Sequence, residues 1–243
     1  MAFNRVELIK DRVPLRRALV SVYDKTGLEA LVLGLATAAP GIEIYSTGGS
    51  HAAIAAVLAG AGAAPGTAGS AGSSGGRPLR ASLVSIADYT GQAEMAGGLV
   101  KTLDWKIYLG LLAESGNASH EADLARLGAV AFDLVVGDLY PFEAAARDPS
   151  STVEELRQRI DIGGPAMIRA AAKNFLRIAS VSSPSQYEGL LSELEGHGGS
   201  TTLGFRRELA ARAFARVSAF DAAIASRLEA VDPAQLAAAY RVE

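Results

Sequence analysis

The sequence predicts an α/β protein with a mainly parallel sheet flanked by helices and a helical C-terminal segment. Short aliphatic and β-branched runs alternate with helix-spaced segments. These runs are near-continuously apolar, as strands are when helices cover both faces of their sheet. Each of the main runs ends in a polar or glycine-bearing turn, and ligands of open parallel sheets gather at such strand ends.

The 243 residues are 49% hydrophobic and 20% charged, enough for one sizeable core. Residues 18–22 read as a strand closing on Tyr23-Asp24-Lys25-Thr26-Gly27, and residues 28–36 have helical spacing. A second strand, 42–45, leads into Thr47-Gly48-Gly49-Ser50 and an Ala-rich helix over 51–58. Residues 59–76 are almost wholly Ala, Gly and Ser, and from 66 to 76 no large apolar side chain anchors them. That composition does not offset its own ordering entropy and predicts a mobile insertion inside one domain. Leu83 and Val84 resume strand character before the turn signals of Asp88 to Gly91, and residues 132–136 form a further strand ahead of the Asp138 to Phe142 loop. Residues 166–172 read as an apolar helix, Ser183-Pro184 opens a helix to about Glu195, and residues 205–228 form a long amphipathic helix. The last packs on the sheet or on a second subunit, so a homodimer is one expectation. Residues 1–15 are set apart as an extension, 16–229 as the domain and 230–243 as a tail.

Composition narrows the function classes. A net charge of −3 without a basic run gives no electrostatic footprint for nucleic acid or an anionic membrane. The lack of cysteine removes disulfides, thiolate metal sites and a cysteine nucleophile. Residues 1–17 lack the apolar core of a signal peptide, and no apolar stretch is long enough to span a bilayer. The expectation is a cytoplasmic protein acting on a small molecule.

Several residues can carry chemistry, each with a structural alternative. In Ser46 to Ser50, two glycines and flanking hydroxyls precede a helix start, a pattern that suits an anionic phosphate and equally a tight turn with a cap. Asp161-Ile162-Gly163-Gly164-Pro165 opens a helix in the same way, with Asp161 a base or an N-cap. Lys101 and Lys173 border apolar segments, from which a desolvated lysine exchanges protons near neutrality, although a solvated lysine or a helix C-terminal charge fits as well. Tyr140 before Pro141 is a hydrogen-bond donor or a packing aromatic.

Read together, Ser21 to Gly27, Ser46 to Ser50, Lys101-Thr102, Asp138-Leu139-Tyr140-Pro141-Phe142, Asp161 to Gly164 and Ala171-Ala172-Lys173-Asn174 resemble in order and spacing the IMP cyclohydrolase domain of the bifunctional AICAR transformylase/IMP cyclohydrolase family. The resemblance runs from about Arg16 to Leu228. It implies a methylglyoxal-synthase-like fold and a cofactor-independent, metal-free reaction in which an amide nitrogen closes onto a carbonyl with loss of water. It implies catalytic roles for Lys101, Tyr140, Asp161 and Lys173. Asp24, Lys25, Thr47, Gly48, Gly49 and Ser50 would line the nucleotide site, Lys101 and Thr102 would lie near the base, Ile162 and Gly163 would lie around the reacting atoms, and Leu139 would be a further substrate-binding residue.

Departures from the family pattern fall on the binding positions. Leu99 stands where the family has an arginine, Asp138 where it has an asparagine, and Tyr23 where it has a serine; Asp104-Trp105-Lys106 and Phe175 replace a histidine and a proline and a second histidine. Exchanging arginine for leucine removes a five-donor fork. The expectation is a cyclase whose chemistry is retained and whose substrate is altered from the purine precursor, within specialised metabolism. A stand-alone IMP cyclohydrolase and a silent ligand-binding module are the alternatives. The family's transformylase domain has no counterpart in this sequence.

Overall fold

The computed structural model describes residues 9–62, 79–92, 102–148 and 150–241. Its strands are β1 (Val13–Pro14), β2 (Arg17–Ser21), β3 (Ile42–Ser46), β4 (Ala81–Ser85), β5 (Leu134–Gly137), β6 (Ala179–Val181) and β7 (Ser200–Thr201). Its helices are α1 (Leu28–Ala38), α2 (Gly48–Gly60), α3 (Ile86–Thr90), α4 (Trp105–Leu112), α5 (Ala118–Leu127), α6 (Phe142–Arg147), α7 (Val153–Gln158), α8 (Gly163–Lys173), α9 (Tyr187–Gly196), α10 (Leu203–Glu229) and α11 (Pro233–Ala239), with a single 3-10 turn at Pro184–Gln186.

Five strands form one sheet in the order β4-β3-β2-β5-β6, and every pairing is parallel. Register places Val20 opposite Ser46 and Val136, and Ser21 opposite Gly137. The carboxyl ends of the central strands are therefore level, and the loops leaving them emerge along one edge. Side chains alternate between the two faces. Ala18 and Val20 join Ile44, Leu134 and Val136 beneath α1, α2 and α9, while Leu19, Tyr45 and Val135 pack with Ile107, Leu111, Met167 and Ala171 of α4 and α8. Both faces are covered, which is why the strands read as apolar runs.

One glycine sets the approach of α4. A Cβ at Gly110 would stand 2.1 Å from the Val130 carbonyl oxygen and 3.0 Å from the Phe132 ring, so only a hydrogen lets this helix lie against the chain entering β5.

The structure adjusts several expected boundaries. Helix α2 begins at Gly48 and not at His51. Asp88 to Thr90, read as part of a turn, belong to α3, which is capped by Gly91 at φ 75°. Residues 13–14, set outside the domain from the sequence, pair antiparallel with β7, and the expected tail contains α11, whose following Tyr240 hydroxyl donates to Glu154 at 2.5 Å. The expected insertion at 66–76 lies outside the described residues. Among the described residues no helix is long and apolar enough to cross a membrane.

Arg206 of α10 is 0% exposed. Its guanidinium donates to the carbonyls of Phe175 (3.0 Å), Asp11 (3.0 Å), Lys10 (3.2 Å), Leu176 (3.2 Å) and Thr201. A buried charge is tolerated when its donors are satisfied in this way, and here the acceptors come from three separated stretches of chain.

Candidate functional site

Three loops leaving β2, β3 and β5 meet at the carboxyl edge, and Asp138 and Ser50 tie them together. The Asp138 carboxylate accepts the Tyr23 N–H on one oxygen and the Asp24 N–H, at 2.8 Å, on the other. Burial raises its pKa above the ordinary aspartate value, against the lowering effect of those two donors. Ser50, buried on α2, accepts the Val22 N–H at 3.0 Å and donates to the Val22 carbonyl at 2.9 Å. The Lys25 ammonium donates to the Val22 carbonyl, to the Tyr23 carbonyl at 3.2 Å and to Ser50 Oγ at 3.4 Å. Lys25 therefore bridges the first loop to α2. Asp24 accepts the Thr26 N–H at 2.8 Å, and hydrogen bonding by Thr26 holds its carboxyl below the usual value.

Thr47 is buried ahead of Gly48, whose φ of 52° makes the turn into α2. The space in front of Gly49 is open. The first turn of α2 thus offers backbone N–H groups to an anion.

Asp161, one residue before the N-cap Ile162, accepts the Gly164 N–H in the first turn of α8 at 3.0 Å. Burial nonetheless raises its carboxyl, with the Asp138 charge adding to the effect. Tyr140 is partly exposed, and its hydroxyl is raised by burial first and by the Asp161 charge next. Its ring meets that of Tyr23 edge-on, with centroids 5.0 Å apart. Leu139 is buried against the start of α8, and Ile162 projects outward at 63% exposure. A methyl on Gly163 would lie 3.0 Å from Thr102 Oγ1 and 3.9 Å from Leu103 Cγ, so the segment carrying buried Thr102 packs on the first turn of α8. Lys101 and Leu99 lie outside the described residues.

Lys173 does not join this group. It is exposed at the far end of α8, and the rise of the helix separates it from Gly163 by about 15 Å along the axis. Its neighbour Asn174 donates to the carbonyls of Leu111 and Ala113, at 2.9 and 3.0 Å, at the end of α4. Within one chain the expected convergence of Lys173 with Asp161 and Tyr140 is therefore corrected: α8 runs from the carboxyl edge to the amino edge and carries the two residues at its two ends.

The structure also adds residues that the motifs did not indicate. An open cleft of about 980 Å³ extends from Tyr23, Asp24, Lys25 and Asp138 toward Ser182, Arg147 and Arg216. Asp104, 4% exposed, caps α4 through the Lys106 N–H at 2.7 Å, while its Oδ2 is buried without a hydrogen-bond partner among the described residues. Its position just before an apolar run is an N-cap signal; the unpaired oxygen has no sequence signature. Among the described residues no group of three His, Cys, Asp or Glu side chains is arranged to hold a metal ion.

A parallel sheet covered by helices on both faces, with glycine and acid-bearing loops at its carboxyl edge, defines an α/β domain with its candidate site at that edge. The family model described as AICARFT/IMPCHase bienzyme matches residues 171–243. The bifunctional purine biosynthesis protein PurH of Dinoroseobacter shibae is 44% identical over 217 residues, covering 88% of this chain and 36% of that protein. PurH of Mycobacterium marinum is 42% identical over 218 residues, covering 90% and 36%. The crystal structure of ForH matches at a TM-score of 0.66 with 30% identity, covering 88% of this chain and 99% of that chain. The chain belongs to the AICAR transformylase/IMP cyclohydrolase family and forms an IMP cyclohydrolase-like domain. It spans about a third of the length of the curated relatives that it matches.

Proposed function

We propose that this chain is a cyclase that closes a ring by intramolecular condensation of a nitrogen nucleophile with a carbonyl, on a substrate altered from the purine precursor. The observation that carries the reading is the meeting of Asp161, Tyr140 and Asp138 at one edge of the sheet, each with a pKa raised by burial. In the first step a nitrogen–carbon bond forms and the carbonyl oxygen takes up charge and then a proton, giving a carbinolamine. In the second the hydroxyl leaves as water, the nitrogen releases a proton and a carbon–nitrogen double bond remains. The Tyr140 hydroxyl, kept neutral, is suited to donate to the developing oxyanion. Asp161, which holds its proton more readily than an ordinary aspartate, is suited to shuttle it between nitrogen and leaving oxygen. Lys101 enters as a further donor on the strength of the family motif alone. Lys25, Thr47, Gly48, Gly49 and Ser50 would hold an anionic or hydroxyl-bearing arm, and Thr102 with Ile162 and Gly163 would border the ring.

Two features favour a changed substrate. Asp138 spends both carboxylate oxygens on the Tyr23–Asp24 backbone, and Tyr23 places a ring beside Tyr140, so a charge and bulk lie where the family pattern has small neutral groups. A less anionic, more apolar carbonyl compound with its own nitrogen nucleophile fits better. The second reading is IMP formation from the formylated aminoimidazole carboxamide ribotide, favoured by the 44% identity to a purine biosynthesis protein. An absorbance assay for IMP decides between them: turnover on the order of 1 per second or faster refutes the altered substrate. Loss of that turnover in Asp161→Asn and Tyr140→Phe would then assign the chemistry to this edge. We further propose that the protein acts in the cytoplasm, without a metal or organic cofactor, and as a homodimer.

A further inference from the structure

The opposite, amino edge of the sheet holds a second cleft of about 380 Å³ between residues 9–16 and the Leu176-Arg177 turn. Lys10, Arg12 and Arg16 line one wall, and their side chains make no hydrogen bond or ion pair with the described residues. Arg177 lines the other, held by Asp133 at 2.9 Å, by the Phe132 carbonyl at 3.0 Å and by Ser115 Oγ at 3.4 Å. Asp133 is 2% exposed and also accepts the N–H groups of Arg16 and Arg17 at 3.0 and 3.1 Å. With the Asp133–Arg177 pair neutralised, Lys10, Arg12 and Arg16, whose side chains have no partner among the described residues, share the cleft with Glu114 and Glu121. Val13 and Leu176 give it an apolar flank.

The two walls are fixed relative to one another. Buried Arg206 binds the carbonyls of Lys10 and Asp11 on one side and that of Leu176 on the other, so the backbone bearing the cations is set before any ligand arrives and little ordering cost remains for binding. Lys10, Arg12 and Arg16 outnumber Glu114 and Glu121 in the cleft; like charges gathered in this way repel, and an anion relieves that repulsion. Guanidinium forks match phosphate oxygens in geometry, and the volume is that of a small-molecule site.

We propose that this cleft binds a small organic phosphate, with the phosphate among Arg12, Arg16 and the outward edge of Arg177 and the organic body along Val13 and Leu176. The site is separate from the carboxyl-edge group and does not depend on its chemistry. Calorimetric titration of the full chain at low ionic strength, with phenyl phosphate and with inorganic phosphate as probes, tests it. Phenyl phosphate should bind more tightly than inorganic phosphate. Arg12→Gln and Arg16→Gln, both exposed and free to fold, should each weaken binding by about tenfold or more, while Arg212→Gln, on the exposed face of α10 and outside both clefts, leaves it unchanged. The proposal is overturned if phenyl phosphate fails to bind at millimolar concentration, if both the Arg12 and Arg16 variants bind as the parent does, or if only Lys25→Met at the other edge abolishes binding. Capture of a DNA oligonucleotide with no competition by phenyl phosphate would assign the basic face to nucleic acid and overturn it as well.

Discussion

Asp138→Asn separates the two roles a carboxylate plays in the carboxyl-edge loops. Asp138 offers one oxygen to the Tyr23 N–H and the other to the Asp24 N–H. Asparagine keeps one acceptor and turns its NH₂ toward the second N–H, so one bond is lost and the other ceases to be charge-assisted. A hydrogen bond to a charged group is worth about 1.5–3 kcal/mol; since burial already opposes the charge, the lower part of that range applies. A loss of about 1.5–2 kcal/mol corresponds to a fall in Tm of roughly 3–8 °C for a domain of this size. The pH dependence has a definite sign. Because burial raises the folded-state pKa, the folded protein holds this proton more tightly than the unfolded chain, and the group's contribution is greatest below the unfolded pKa and is lost as pH rises through the folded one. The advantage of the parent over the Asn variant should therefore be larger near about pH 4 than near about pH 7. Urea denaturation of both proteins at the two pH values measures it. An unchanged midpoint at neutral pH refutes the two-acceptor argument, and a gap that narrows on acidification shows that the N–H donors outweigh burial.

Gly110→Ala should cost about 3 kcal/mol or more, because its methyl meets a backbone oxygen at 2.1 Å and overpacking against an immobile neighbour lies at the upper end of its range; near-parental stability in thermal denaturation would show that α4 is free to shift. Arg206→Met keeps volume but leaves five buried or half-buried carbonyls without their donor, at a cost of about 3 kcal/mol or more. Hydrogen exchange should then accelerate in residues 10–15, and exchange unchanged there would contradict the pinning role. For the Tyr23–Tyr140 edge contact, a double-mutant cycle with Tyr23→Ser and Tyr140→Leu should give a coupling of about 0.5–1.5 kcal/mol. A coupling of zero means that the rings are merely adjacent.

The sheet was legible because covered parallel strands have few polar positions: residues 18–22, 42–45, 83–84 and 132–136 each lie within two residues of an observed strand. Helices α5 and α7 left no comparable mark, since each buries only one leucine, Leu124 and Leu156, and α3 is too short to show a period. At the site, the motifs around Asp24, Ser50, Asp138 and Asp161 were readable as short segments, and strand register explains why they meet. Motif order says nothing about which end of a helix faces which edge, so it places Lys173 with Asp161 although the eleven residues of α8 span from one edge to the other. Arg147, Arg216 and Ser182 share a cleft only because α6, α10 and β6 converge in space. The Asp133–Arg177 pair, forty-four residues apart in the chain, is equally a product of topology.

The hold of Arg206 on the carbonyls of residues 10 and 11, with β1 paired to β7, also sets an order of events. Contacts separated by nearly two hundred residues close only after the intervening loop entropy has been spent. On the ribosome, all five strands of the main sheet are synthesised before the residues that secure the first strand emerge. Residues 10–14 thus emerge ahead of the main sheet and are among the last to be fastened. Until α10 docks it remains open to proteases and chaperones, so protection of residues 10–14 in a pulse-labelling experiment would serve as a clock for the completion of folding.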